Sequence, residues 1–167
     1  MLSTAAAISR LRRDLALGAA LTLLLQRGGD DLPAESEARQ RSEQQGDVTR
    51  AAAAQVEAFL GVDHTMVEEQ AKVVLDGATG EFKEQYAEEL DSLIRSAKAQ
   101  QSTADATVLQ VGIAEFDAST ATVFVAADTK VTSKATQGKS RTVPWRIQLD
   151  MVNEGGRWLT TGLQFVG

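Results

Sequence analysis

RTVPWRIQLDMVNEGGRWLTTGLQFV, residues 141–166, reads as a β-hairpin. From Val143 the odd positions are apolar: Val143, Trp145, Ile147, Leu149 and Met151. The even positions between them include Arg146, Gln148 and Asp150. Alternation of this kind marks a strand with one face in a core and one in water. Asn153-Glu154-Gly155-Gly156 follows, and paired glycines supply the positive-φ positions of a tight reversal. The second run starts at Trp158 and carries Leu159, Leu163 and Phe165. An isolated hairpin is marginal in water, so what precedes it must cover its apolar face.

Working backwards, Ser133–Ser140 is a polar, basic loop. Thr120–Thr132 alternates through Ala121, Val123, Val125 and Ala127 and predicts a strand. Asp117-Ala118-Ser119 predicts a turn, and Val108–Ile113, rich in β-branched residues, a further strand. Before about Ala106 the spacing becomes helical. Phe82, Tyr86, Leu90, Leu93, Ile94 and Ala97 make the buried stripe of a helix over about 81–100, with Thr79 as its cap. Val67, Ala71, Val74 and Leu75 make a second stripe, opened by a Thr65/Glu68 capping box. Val48, Ala52, Val56, Phe59 and Leu60 make a third, capped by Asp47 and ended by Gly61. Three helices followed by four strands on short connections is an α+β layout. Small residues at Ala121, Ala126, Ala127 and Gly162 suit a sheet that bends into a cone over the helices.

Further back, residues 33–46 are polar good helix formers without an apolar stripe, and read as a spacer. Residues 1–32 hold Arg10, Arg12 and Arg13 ahead of an apolar run containing Leu15, Leu17, Leu21, Leu23, Leu24 and Leu25. A basic flank before an apolar run is the pattern of an anchor with its N-terminus inside. Eleven residues reach roughly 16 Å as a helix, against a bilayer core of about 30 Å. An interfacial amphipathic helix and a cleaved signal therefore stand beside the anchor as readings. The domains expected are 1–32, a basic and apolar segment; 33–46, a spacer; and 47–167, an α+β domain.

Composition bounds the chemistry. The chain has 167 residues, enough for one domain plus an extension, and no cysteine. Disulfides, thiol catalysis and cysteine–zinc sites are excluded. The net charge of −6 resides wholly in residues 47–102, which opposes binding to phosphate backbones. Aromatics at 5% are too few for a base-stacking platform. The single histidine, His64, reads as a connector residue, and the carboxylates show no HExxH or calcium-loop spacing. No G-x-S-x-G, GxGxxG or P-loop pattern exists. No catalytic, metal or cofactor-binding residue is assigned. Tyr86 and Trp145 are the pocket candidates. Tyr86 beside Asp63, Asp128 or Asp150 in an apolar hollow would suit acid–base chemistry, although its place on the Phe82–Leu90 stripe suits a core.

Three stretches carry a resemblance: GATGEFKEQYAEELDSL (77–93), ATVFVAADTKVT (121–132) and GGRWLTTGLQFV (155–166). Ala78-Thr79-Gly80-Glu81-Phe82 and Gly156-Arg157-Trp158-Leu159 are the most telling. With the basic, apolar start, the chain resembles the actinobacterial Mce-associated membrane proteins, accessory to mammalian-cell-entry lipid importers. The resemblance implies an NTF2-like (cystatin-like) cone: three helices on a curved, mainly antiparallel four-stranded sheet, similar to periplasmic domains of the VirB8 kind. It implies a single-pass protein of the cell membrane with its C-terminal domain on the outer face. It also implies a non-enzymatic role, stabilising the importer through contacts with its subunits, without cofactor. The alternatives on the same fold are a small-molecule enzyme of isomerase or cyclase type and a lipid-binding module using the cone's interior.

Overall fold

The computed structural model describes residues 34–167. The expected anchor residues, Leu15 to Leu25, lie outside them. Helix α1 covers residues 34–60, β1 is Val62–Asp63, α2 is Val67–Asp76 and α3 is Gly80–Gln100. Strands β2 (Thr103–Phe116), β3 (Thr120–Thr132), β4 (Arg141–Glu154) and β5 (Arg157–Phe165) complete the order. No helix among the described residues is long and apolar enough to cross a membrane.

The α+β layout and the three amphipathic stripes stand, with corrections at the start of each helix. Residues 34–46 are helical, so the helix begins well before Asp47. Alanine, glutamate, glutamine and arginine sustain the helix across Gly46 by propensity alone. Residues 34–43 are exposed, as a stretch without a stripe must be, and the compact unit begins at Gln44. Asp47 is therefore no cap; its carboxylate pairs with Arg50 one turn on. The Thr65/Glu68 capping box does not form either. Thr65 donates its N–H and hydroxyl to Asp63 Oδ1, at 2.8 and 2.7 Å, while Glu68 accepts from Lys98 of α3 at 2.6 Å. Thr79 holds the N-cap position of α3, but its hydroxyl turns to Glu154 Oε1.

The sheet has five antiparallel strands in the order β1-β2-β3-β4-β5, one more than expected. Its inward rows are set by register. Val123 pairs with Leu149 and Val125 with Ile147, and all four are buried. Against them lies the stripe of α1, Val48, Ala52, Val56 and Leu60. Removing side chains the size of Ile147 or Leu149 from water contributes about 1.5–3 kcal/mol each. A second cluster of Val74, Ala78 and Phe82, with Phe59, Tyr86 and Leu163 packed against it, joins α1, α2 and α3 to β5. Leu93, counted in the α3 stripe, is instead 42% exposed.

Bulges give the curvature. β2 carries extra residues at Leu109 and Ala114, and β5 carries one at Thr161. Each extra residue shifts the alternation by one, so Ala106, Val108, Val111, Ile113 and Phe116 all reach the core. The closing turn is as the glycines require: Gly155 has φ 60° and Gly156 φ 85°.

The β5 edge is covered. Thr79 N–H donates to Thr160 O and Thr160 N–H to Gly77 O, both at 2.9 Å. Beyond β5, Val166 N–H reaches Arg146 O at 2.8 Å. Pro144 shares the phase of Arg146, so its missing N–H falls on the uncovered part of β4, where proline discourages pairing.

Candidate functional site

Tyr86 lies on α3 and Trp145 on β4. They belong to one row of rings running from α3 to β4. Phe59, near the end of α1, is its hub: its centroid lies 5.9 Å from Phe82, 6.1 Å from Tyr86 and 6.2 Å from Phe165. Phe82 and Tyr86 are 6.2 Å apart, and Trp145 lies 5.1 Å from Phe165. These spacings are those of favourable tilted aromatic pairs. Trp145 also donates from Nε1 to Thr129 Oγ1 at 2.8 Å, so its polar atom is engaged.

The row was hidden in the sequence because each ring sits on its own element's stripe. Phe59 belongs to a helix stripe, and Phe165 closes a strand two residues after Leu163. Only the register of β4 on β5, which pairs Ile147 with Phe165, brings Phe165 to Trp145.

Tyr86 is half-buried, and burial pushes its phenol above the ordinary value. That direction suits a packed side chain better than a base at neutral pH. Its suggested carboxylate partners stand elsewhere. Asp128 and Asp150 alternate with the inward Ala127 and Leu149 and so point from the other face of the sheet. Asp150 accepts from Thr122 Oγ1 at 3.2 Å and Gln148 Nε2 at 3.3 Å. Asp63 serves Thr65, which holds its carboxyl below the usual range. His64 Nδ1 lies 3.9 Å from Asp63 Oδ1, beyond hydrogen-bond reach, and the backbone N–H of His64 ties the connector to Ser102 O.

The larger hollows are open grooves. One of about 400 Å³ is lined by Pro144, Trp145, Arg146, Phe165 and Val166. Another of about 460 Å³ lies among Asp47, Gln55, Asp76, Arg157 and Trp158. A third of about 560 Å³ has Glu115, Asp117, Thr122, Asp150 and Thr161 on its walls. Tyr86 lines none of these. The inward face of β3 and β4 is packed against α1. Among the described residues no group of three histidine or carboxylate side chains is placed to hold a metal. Among the described residues, Tyr86, Asp63, Asp128 and Asp150 do not converge on one point, and the hollows are open grooves.

Known proteins agree with the fold. The periplasmic domain of DotI matches with a TM-score of 0.59, at 10% identity over 71% of this chain and 92% of that one. CagV of Helicobacter pylori strain 26695, a VirB8 homolog of T4SS, matches with a TM-score of 0.58, at 11% identity over 72% of this chain and 97% of that one. A protein described as NTF2-like and involved in plasmid conjugation matches at 0.50, with 10% identity over 74% and 49% of the two chains. At these identities the likeness is one of fold. In sequence, the chain is 24% identical over 108 residues to the uncharacterized protein Rv1363c of Mycobacterium tuberculosis H37Rv. That match takes in 65% of this chain and 41% of the relative's length. Residues 27–167 match one sequence family as a whole, and the chain belongs to it: the uncharacterized Rv1363c/MT1408-like proteins.

Proposed function

We propose that this chain is a non-enzymatic accessory domain of a membrane-associated protein complex, acting through protein–protein contacts. The observation that carries the reading is the filled cone. Val48, Ala52 and Val56 of α1 pack on the concave face where an NTF2-like enzyme or lipid carrier would need space. With α1 packed on the sheet in this way, the described residues leave outer faces, edges and grooves to work with. The fold neighbours support the assembly role by analogy: one is a VirB8 homolog of T4SS, another a periplasmic domain.

The finer reading is a Mce-type lipid importer as the complex. In it, residues 1–32 hold the protein at the cell membrane and the domain stands on the outer face. The motifs at 78–82 and 156–159 support that choice. The test is a pull-down of the full chain from native membranes under mild detergent, with and without residues 1–30. Co-purification of importer subunits, lost with the truncation, is the expected result. A protein that stays in the soluble fraction and recovers no membrane-complex subunit would overturn the reading.

A further inference from the structure

We propose that the open outer edge of β2, Asp105–Phe116, receives an added strand from a partner protein, an extended segment with lysine or arginine near each end. The proposal rests on the accessory reading above and names one surface through which it would work.

The edge is competent to pair, because the chain itself begins to pair with it. β1 places Asp63 opposite Thr103 and Val62 opposite Ala104, and His64 N–H donates to Ser102 O at 3.0 Å. The ladder then stops for a local reason. The residue before Val62 is Gly61, which ends α1, and a helix cannot continue a strand pairing. From Asp105 onward β2 has a strand neighbour on its β3 side alone among the described residues.

The groups left open follow from strand geometry. Ser102 and Ala104 direct their backbone toward β1, and Ala106 and Val108 share their phase. Beyond the first bulge, Val111 and Ile113 take the same orientation, with side chains again in the core. Core packing thus fixes the backbone groups that a guest strand would meet. The other side of the sheet is guarded by the Ala78–Thr160 bridge and by Pro144, whereas this edge has neither device.

Charge selects the guest. β2 contains no lysine or arginine; its charged residues are Asp105 and Glu115, both exposed. A second copy paired antiparallel about Gln110 would set Asp105 against Glu115 twice, and like charges directly opposite destabilise a sheet. A strand with basic residues some eight positions apart, the step count by which β3 spans Asp105 (opposite Lys130) to Glu115 (opposite Thr122), reverses both contacts. Leu109, the bulged residue, is 59% exposed and offers an apolar contact beside the edge. The two bulges bend the strand away from flat edge-to-edge aggregation and favour a guest that follows the bend.

The test uses the full chain and two synthetic probes, a nine-residue Thr/Val peptide ended by lysines and the same peptide ended by glutamates. Amide hydrogen exchange is followed across residues 103–132. The lysine-ended probe is expected to slow exchange at Ala106, Val108, Val111 and Ile113 at least tenfold, with little effect from the glutamate-ended one. The exposed double variant Asp105→Lys/Glu115→Lys is expected to exchange the two preferences. Absence of protection at saturating probe, equal protection by both probes, or an unchanged preference in the double variant would overturn the proposal. So would protection that grows with protein concentration alone, since a second copy would then hold the edge. None of these results bears on the membrane pull-down, so the two ideas fail separately.

Discussion

Gln55 and Gly77 interlock. The Gln55 side chain is buried beneath the end of α2, where Nε2 donates to Val74 O at 3.1 Å. Its Oε1 occupies the space a side chain on Gly77 would need: a Cβ there would lie 2.0 Å from it. Gly77 has φ −90°, so the demand for glycine is one of space and not of backbone angle. This contact locks α1 to α2 beside the loop that bridges to β5.

Gly77→Ala should therefore cost about 1–3 kcal/mol, the usual range for overpacking a filled site. Gln55→Ala should cost a comparable amount by leaving the Val74 carbonyl without its donor. The double variant should be more stable than the sum of the two losses predicts, because removing the amide makes room for the methyl. Urea denaturation of the four proteins measures the coupling. Strict additivity would mean that the two residues do not interact.

Trp145 and Thr129 make a second pair whose partners lie on neighbouring strands. Thr129 is 2% exposed, and its hydroxyl accepts from the indole at 2.8 Å. Thr129→Val keeps the shape and orphans the indole N–H, which should cost about 1–3 kcal/mol. Trp145→Phe added to it should cost less than it does in the parent, since the orphaned donor is then gone. Thermal unfolding of the single and double variants reads this directly.

These two contacts show where sequence reading reaches and where it stops. β4 was legible from Val143 to Met151 because it is unbulged over that span and wet on one face. The helix stripes were legible because the core lies on one side of each. β2 was legible over Val108–Ile113 from its β-branched residues and not from period, because the extra residues Leu109 and Ala114 break its alternation. β1 was invisible, two residues being too few for any period. The start of α1 was misplaced because Gly46-Asp47 has the composition of a boundary, while the real constraint is helix propensity on both sides of it. The ring row and the Gln55–Gly77 contact join residues far apart in the chain, and no local pattern announces either.

The β2–β3 turn gives a pH prediction. Asp117 accepts from the N–H groups of Ser119 and Thr120 at 2.7 and 2.8 Å, and from both their hydroxyls. These bonds hold its carboxyl far below the usual carboxylate range. A depressed folded-state pKa means that its stabilising effect is complete above the unfolded value. It is lost as pH falls below about 4 toward the folded value. Asp63 and Glu68 are lowered as well, so the acid limb of stability is shared. Asp117→Asn should flatten part of that limb between about pH 4 and 2 while leaving the rest. Melting temperatures of wild type and variant across that range give the comparison. Parallel curves would show that the turn bonds do not depend on the charge.

Tyr86 offers the cleanest single measurement, because the chain contains one tyrosine. Burial among Phe59 and Phe82 disfavours the phenolate, so the hydroxyl should titrate above about 10 in the folded protein. Ultraviolet difference absorbance against pH reports that midpoint without interference from another phenol. The sign carries over to stability. A phenol whose pKa is raised on folding contributes fully below its unfolded value and loses that contribution as pH rises through the folded one. Tyr86→Phe should accordingly leave the neutral-pH melting temperature nearly unchanged and remove the phenol's part in the alkaline loss. A titration midpoint well below 10 would instead place a stabilised phenolate at neutral to mildly alkaline pH, which is what an acid–base role for Tyr86 would require.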